Sequence, residues 1–327
     1  MAVEFDTIYY PAVILFKKQA AAVKVAFFFF NVQNKITANE GALLMIYIGV
    51  TGWGDHDILY PDGIKASEKL AVYASHFPVV ELDASFYAIQ PQRNIEKWIK
   101  ETPDSFQFVV KAYQGMTGHE RGKIPFASED EMYEAFLASI EPLKEANKLA
   151  IVLFQFPPWF ELNREHVNKL RQIKKRMGNL PVALEFRHQS WFHPRFKEKT
   201  LAFMRAEGWI HTVCDEPQAG EGSVPAVIAV TDQQKALVRF HGRNTYGWNR
   251  PKDKNWRDVR YLYRYSQEEL QEWADYIRAL EKQTEHVYVL FNNNSGGDAA
   301  QNAKEMIELL GVQYEQLAPR QLDLFSE

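Results

Sequence analysis

Eight short apolar runs, rich in β-branched residues, recur along the chain: 46–50, 79–83, 106–111, 149–156, 181–187, 209–215, 236–241 and 286–292. Most are separated by segments with apolar residues three or four apart, the period of an amphipathic helix. "EDEMYEAFLASIEPLKEANK" is one such segment, and "SQEELQEWADYIRALEKQ" is another. In the second, Ser266 and Glu269 have the spacing of a capping box, which marks a helix start. Eight strand-then-helix units predict a parallel sheet closed into a single-domain (β/α)8 TIM barrel, an α/β fold. The rival is an open doubly wound sheet. That fold usually carries a glycine-rich phosphate loop after its first strand, and "GVTGWGDH" has glycines without the G-x-G-x-x-G spacing.

The carboxyl ends of the runs are unusually polar. Strand alternation, with the last polar residues facing inward, gives Glu81, Asp83, Lys111, Gln155, Glu185, Arg187, Asp215, Arg239, His241 and Asn292. In a barrel these ends converge on one mouth, where active sites sit. The bland alternative is a buried salt-bridge network that supports the scaffold.

Composition narrows the picture. The 327 residues suit one α/β barrel, and 46% are hydrophobic, enough for a large core. The net charge of −4 excludes a protein that binds nucleic acid by overall electrostatics, so any such contact must come from a local patch. Cys214 is the single cysteine, which excludes an internal disulfide and a cysteine-rich zinc cluster and fits a reducing cytoplasm. His211, mid-run, and Cys214 read as core residues.

The first 44 residues differ from the rest. "AAAVKVAFFFFNV" contains Lys24 and is too short to span a bilayer, so no membrane association is expected. The codons for Glu40-Gly41-Ala42 can contain a ribosome-binding sequence at normal spacing from Met45. Met45 is therefore the expected natural start, with 1–44 a non-native or disordered extension. The barrel is expected over 45–315 and a flexible tail over 316–327. Removing four lysines and three acidic residues with the extension leaves the balance negative.

"VELDASFY", "KAYQGMTGH", "LFQFPPWF", "LEFRHQSWF", "RFHGRNTYGW", "RYLYRYSQEEL" and "FNNNSGGDAAQNA" together resemble the YecE-like family, the domain of unknown function 72. The resemblance runs from about Met45 to about Gly311. It implies a (β/α)8 barrel, in agreement with the strand count, and supplies no reaction. Position 83 departs from the pattern: it is Asp here, where the family often has Asn. That leaves open whether it acts as a charge or only as a hydrogen-bond acceptor.

Lys111, Arg187 and Arg239 share the expected mouth, and guanidinium groups bind phosphate or carboxylate through two hydrogen bonds. An anionic substrate follows. The candidate catalytic residues are Glu185, Glu81, Asp83, Lys111 and His241, with carboxylates or imidazole as general acid and base. The candidate substrate- and anion-binding residues are Arg187, Arg239, Arg243, Gln155, Tyr87, Asn292 and Trp53. No cofactor is expected. Glu81, Glu185, Asp215 and His241 could make a divalent-metal site, although three neighbouring cations would oppose one.

The stretch from Arg243 to Arg264 holds seven basic residues and two acidic ones, Asp253 and Asp258. Tyr246, Trp248, Trp256, Tyr261 and Tyr263 are interleaved. Cations that hold phosphates and rings that stack bases are the composition of a nucleic-acid contact. A structured loop packed on the barrel rim is the alternative.

The chain ends "APRQLDLFSE". Residues Gln321, Leu322, Asp323, Leu324 and Phe325 are similar to the pentapeptide by which many bacterial proteins dock on the replicative sliding clamp. Pro319 would keep the tail extended, and three apolar side chains could fill a groove on a partner. The reading this favours is a clamp-recruited DNA-maintenance factor, a repair hydrolase or lyase acting on a phosphate-containing substrate. Alternatives are a non-catalytic adaptor between DNA and clamp, and an enzyme acting on a phosphorylated or sugar-like metabolite.

Overall fold

The structure, a computed structural model, describes residues 45–120, 122, 124–249 and 259–319. The extension 1–44, the basic positions 250–258 and the pentapeptide 321–325 lie outside the described residues.

Eight parallel strands close into a barrel in chain order. They are β1 Met45–Thr51, β2 Val79–Leu82, β3 Gln107–Lys111, β4 Leu149–Gln155, β5 Val182–Glu185, β6 Ile210–Asp215, β7 Lys235–Phe240 and β8 His286–Phe291. β8 pairs with β1 from Met45↔His286 to Val50↔Phe291, so no sheet edge remains open. The closure excludes the open doubly wound sheet. Every expected run is a strand, with ends displaced by two residues or fewer.

Alternation divides the apolar side chains into two layers. Val79, Val109, Ile151, Leu153, Ala183, Ile210, Leu237, Tyr288 and Leu290 fill the barrel interior. Val80, Val110, Val152, Phe154, Leu184, Val213, Val238, Phe240 and Val289 belong to the layer packed beneath the helices. Helix Glu129–Glu145 buries Met132, Phe136, Ile140 and Leu143, the three-to-four spacing read from the sequence. Ser128 caps it, accepting from Glu131 N. Helix Gln267–Glu281 starts at the expected capping box of Ser266 and Glu269. These caps satisfy donors that a helix start leaves unpaired.

Past the last helix, Asp298–Leu310, the chain remains attached to the barrel. Ser105 donates to Gln316 O at 2.9 Å, and Ala318 N donates to Ala74 O at 3.0 Å. Residues 316–318, expected in the free tail, are thus hydrogen-bonded to the barrel. No described helix is long and apolar enough to cross a membrane.

Candidate functional site at the barrel mouth

The interior face, followed two residues further along each strand, changes from apolar to polar. Val79 leads to Glu81, Val109 to Lys111, Leu153 to Gln155, Ala183 to Glu185 and Leu237 to Arg239. One more step reaches Asp83, Arg187 and His241. The same parity on β6 runs through Thr212 and Cys214 to Glu216, one residue beyond the strand. Gly242 follows His241 at φ +79°, a region that favours glycine, and a Cβ there would come within 2.6 Å of Tyr263. That turn lets the chain leave β7 directly under Tyr263.

The floor of the mouth is a continuous ion network. Arg239 donates Nε to Glu81 Oε2 at 2.8 Å and Nη2 to Glu81 Oε1 at 2.6 Å. Its third nitrogen, Nη1, meets Glu185 Oε2 at 2.5 Å. Arg187 Nη2 lies 2.6 Å from Glu185 Oε1, and Arg187 Nη1 pairs with Glu216. Glu216 also accepts from Val224 N at 2.6 Å. All five side chains are buried. Every Arg239 nitrogen is therefore bonded within the protein, which commits that guanidinium to the two carboxylates. The Nε of Arg187 has no hydrogen-bond partner among the described residues.

This environment separates the proton affinities. Burial alone would raise Glu185, but Arg187 and Arg239 outweigh it and hold the carboxyl well below its ordinary value. Burial pushes Glu216 up to about 7, against the opposing pull of Arg187. Burial and the two guanidinium groups hold His241 well below 6.5, so its ring is neutral. Arg187 Nη2 sits 2.9 Å from His241 Nε2, and Arg239 Nη1 sits 3.4 Å from it. On the other side of the ring, Nδ1 lies 3.0 Å from the Asn292 amide nitrogen, a donor to it, and Nε2 also lies 3.4 Å from Glu185 Oε1. One acid near neutrality and one neutral base stand on opposite sides of Arg187.

Glu185, Cys214 and His241 each bring a ligand atom within 4.8 Å of the others, a donor set that could hold a metal ion. As arranged, Arg187 Nη2 stands between Glu185 Oε1 and His241 Nε2 and supplies the positive charge there. An ion could bind these groups only after Arg187 moved. The four-residue metal set read from the sequence is corrected in two members: Glu81, whose carboxylate is bonded to Arg239, and Asp215 are not in this group. Asp215 turns to the helix side, where its carboxylate accepts two bonds from Arg243 Nε at 2.9 and 3.1 Å. Cys214 takes its place in the site.

Arg243 is likewise committed. Besides Asp215 it donates to Glu269 at 3.0 Å, fastening β6 to the start of helix Gln267–Glu281. It is not brought together with the mouth cations. His211 is a core histidine as expected, its Nε2 2.9 Å from Val227 O and its Nδ1 buried without a hydrogen-bond partner among the described residues.

Above the floor, the rim is aromatic. Trp248 covers Arg187 at 5.2 Å, and Arg260 stacks on the same ring at 3.9 Å. Tyr261 stands edge-on to Trp248 at 6.3 Å. The opposite rim carries Lys111, whose amine is 2.9 Å from Asp83 and 4.5 Å from the Phe86 ring. Position 83 thus acts as a charged partner in this chain. Tyr87 is exposed beside Phe86, Gln155 is half-buried next to Glu185 in the β4–β5 register, and Trp53 leans on Trp98 at 5.2 Å.

Sequence reasoning missed Glu216, His119 and Trp159, and it named Cys214 as a core residue, which it is, without placing it beside Glu185 and His241. Glu216 and Cys214 were legible from parity, because 212, 214 and 216 share a face. His119 and Trp159 sit in loops, where no periodicity points to them.

The profile described as "Protein of unknown function DUF72" matches residues 47–323. The UPF0759 protein YunF of Bacillus subtilis (strain 168) is 64% identical over 282 residues, covering 86% of this chain and 100% of its own. The UPF0759 protein YecE of Escherichia coli (strain K12) is 25% identical over 227 residues, 65% of this chain and 79% of its own. A crystal structure of a DUF72 family protein from Enterococcus faecalis V583 superposes with TM-score 0.80 at 39% identity, covering 85% of this chain and 100% of that one. One from Thermotoga maritima MSB8 gives 0.71 at 33% identity, with coverage of 82% and 100%. Sequence profile, relatives and fold agree: the chain belongs to the DUF72 (UPF0759) family of TIM-barrel proteins, whose function is not established.

Proposed function

We propose that the chain is a DNA-maintenance factor recruited to the replicative sliding clamp through Gln321, Leu322, Leu324 and Phe325. Its barrel mouth is directed at a phosphate-containing polynucleotide. The observation that carries this reading is the stack over the floor, in which Arg260, Trp248 and Arg187 alternate cation, ring and cation. A nucleic-acid strand is held by the same two kinds of contact, phosphate on cation and base on ring. The stack belongs largely to the 243–264 segment, with its seven basic and two acidic residues. A mildly acidic barrel binds DNA weakly alone, and a tether to a clamp threaded on DNA raises the local concentration.

Glu216 and His241 are the proton-handling pair that a hydrolase or lyase would use, an acid close to neutrality and a neutral base. Both are buried. Only an extruded nucleotide or a small molecule can reach that depth. The same depth favours a second reading, an enzyme acting on a phosphorylated or sugar-like metabolite. Fluorescence anisotropy on single- and double-stranded DNA, with and without loaded clamp, separates the two. DNA binding that the clamp strengthens supports the first. Absence of DNA binding, together with a thermal shift from a metabolite panel, supports the second.

A further inference from the structure

Among the described residues, the exposed large apolar side chains are Ile58, Tyr87, Trp159, Tyr246 and Leu262. Each lies in a connection that follows a strand, after β1, β2, β4 and, for the last two, β7, and Ile58, Tyr87 and Tyr246 sit in the short helical turns Asp57–Leu59, Ala84–Tyr87 and Thr245–Asn249 of those connections. In a (β/α)8 barrel those segments form the carboxyl face, around the mouth. A single exposed apolar residue needs no explanation. Confinement of all five to one face does, because packing gives no reason to spare the other end of the barrel.

Two of them belong to a continuous aromatic row. Tyr87 meets Phe86 at 5.2 Å, Phe86 meets His119 at 5.1 Å, and His119 meets Trp159 at 6.0 Å. The row crosses the loops after β2, β3 and β4, and each loop fixes its ring from below. Ser85, buried, donates to Leu82 O at 2.7 Å and lies 2.6 Å from Lys111 O, which anchors the turn carrying Phe86 and Tyr87. Gly118, at φ +77°, makes the left-handed turn that presents His119, and Thr117 Oγ1 holds that ring through Nδ1 at 2.8 Å. Phe156 and Phe160 stack on each other at 4.0 Å in the core, and Phe160 N donates to Pro157 O. Trp159 is thereby turned outward. Tyr87 is 49% and Trp159 47% exposed, on rings whose surroundings are otherwise built.

Cations flank the row, one of them, Lys111, paired with Asp83. Lys111 lies against Phe86, and the Lys169 amine is the nearest group to Gly118.

Resting on the DNA reading above, we propose that Tyr87, Phe86, His119 and Trp159 form a stacking platform for unpaired nucleobases. It would hold the bases that flank the nucleotide entering the mouth, while the neighbouring cations face the phosphates. Fixed rings half open to solvent, with cations beside them, match a strand of exposed bases. They do not match a duplex, whose bases are covered, and a neutral sugar would gain nothing from the cations.

The test is anisotropy with the full chain and three labelled probes: a short oligothymidylate, an abasic oligonucleotide of the same length, and the matching duplex. The oligothymidylate should bind most tightly. Trp159→Ala and Tyr87→Ala should each weaken it about tenfold, and Trp159→Phe should retain most of the affinity. The salt dependence should not change in any of these variants, because stacking releases no counterions. Thermal melting of the variants, unchanged at exposed positions, shows that they fold. Binding of the abasic probe as tight as that of oligothymidylate, or DNA binding indifferent to both alanine variants, overturns the platform and leaves the DNA reading standing. Failure of all three probes, with and without loaded clamp, overturns both. Competition by a neutral oligosaccharide against oligothymidylate assigns the rings to sugar and overturns the platform as stated.

Discussion

Arg239 and Glu81 are joined by two hydrogen bonds, at 2.8 and 2.6 Å, that span the barrel from β7 to β2. Sequence alone makes Arg239 an anion anchor whose removal spares the fold. The geometry reverses that expectation. Both residues are buried, and removing the cation leaves Glu81 and one oxygen of Glu185 uncompensated in the interior. Arg239→Ala should therefore cost about 3–5 kcal/mol in urea unfolding, while replacement of Arg239 and Glu81 together by methionine should cost less than either single change. A single variant with the wild-type urea midpoint contradicts this account of the floor.

Glu216 ties stability to pH. Folded, it titrates at about 7, above its ordinary 4.5, because it is buried. A carboxyl with a raised folded value stabilises the fold below the unfolded value and loses that contribution as pH rises to the folded one. The window is therefore about pH 4.5 to 7. His241 acts oppositely, since its depressed value means a contribution lost as pH falls below about 6.5. The difference between wild type and Glu216→Gln isolates the carboxyl. It should shift in favour of the variant as pH rises through the window, by at most about 1.4 kcal/mol per pH unit. Denaturant melts of both proteins at several pH values read it directly. A constant difference removes Glu216 as a titrating group.

Strand positions were legible because short, nearly continuous apolar runs between helix-period segments are what parallel strands buried on both faces look like. The polar ends of those strands were legible by alternation, and Glu81, Glu185, Arg187, Arg239 and His241 do meet. What sequence could not give was pairing. Whether Arg187 and Arg239 wait for a ligand or are matched by carboxylates depends on pairings between separate strands, 29 residues apart for Arg187 and Glu216 and 158 for Arg239 and Glu81. Asp215 was misread by one position, since the last polar residue of a run need not keep the inward parity. Trp159 and His119 were invisible because a loop residue's direction is set by its neighbours' burial, here Phe156 and Phe160.

The basic positions Arg250, Lys252 and Lys254 should contribute electrostatically. Replacing all three by alanine should weaken DNA binding and flatten its salt dependence by up to roughly 2–3 in the log–log slope, because fewer counterions are released. Anisotropy titrations across a salt series measure the slope. An unchanged slope means that those cations meet no phosphate.

The tail should act alone. A peptide ending in "RQLDLFSE" should bind purified sliding clamp with micromolar affinity and compete with the whole chain in calorimetry. Leu324→Ala with Phe325→Ala should abolish that binding and leave the melting temperature of the barrel unchanged. No heat and no competition at high micromolar concentration removes the clamp as partner.

Binding of the full chain to labelled primed DNA, with and without loaded clamp, tests the central claim most directly. The account predicts that loaded clamp tightens the apparent affinity by about a hundredfold or more through effective concentration. It also predicts that the Leu324→Ala, Phe325→Ala variant keeps the weak intrinsic affinity and loses the gain. Equal affinity with and without clamp, or the same gain in the tail variant, would contradict it.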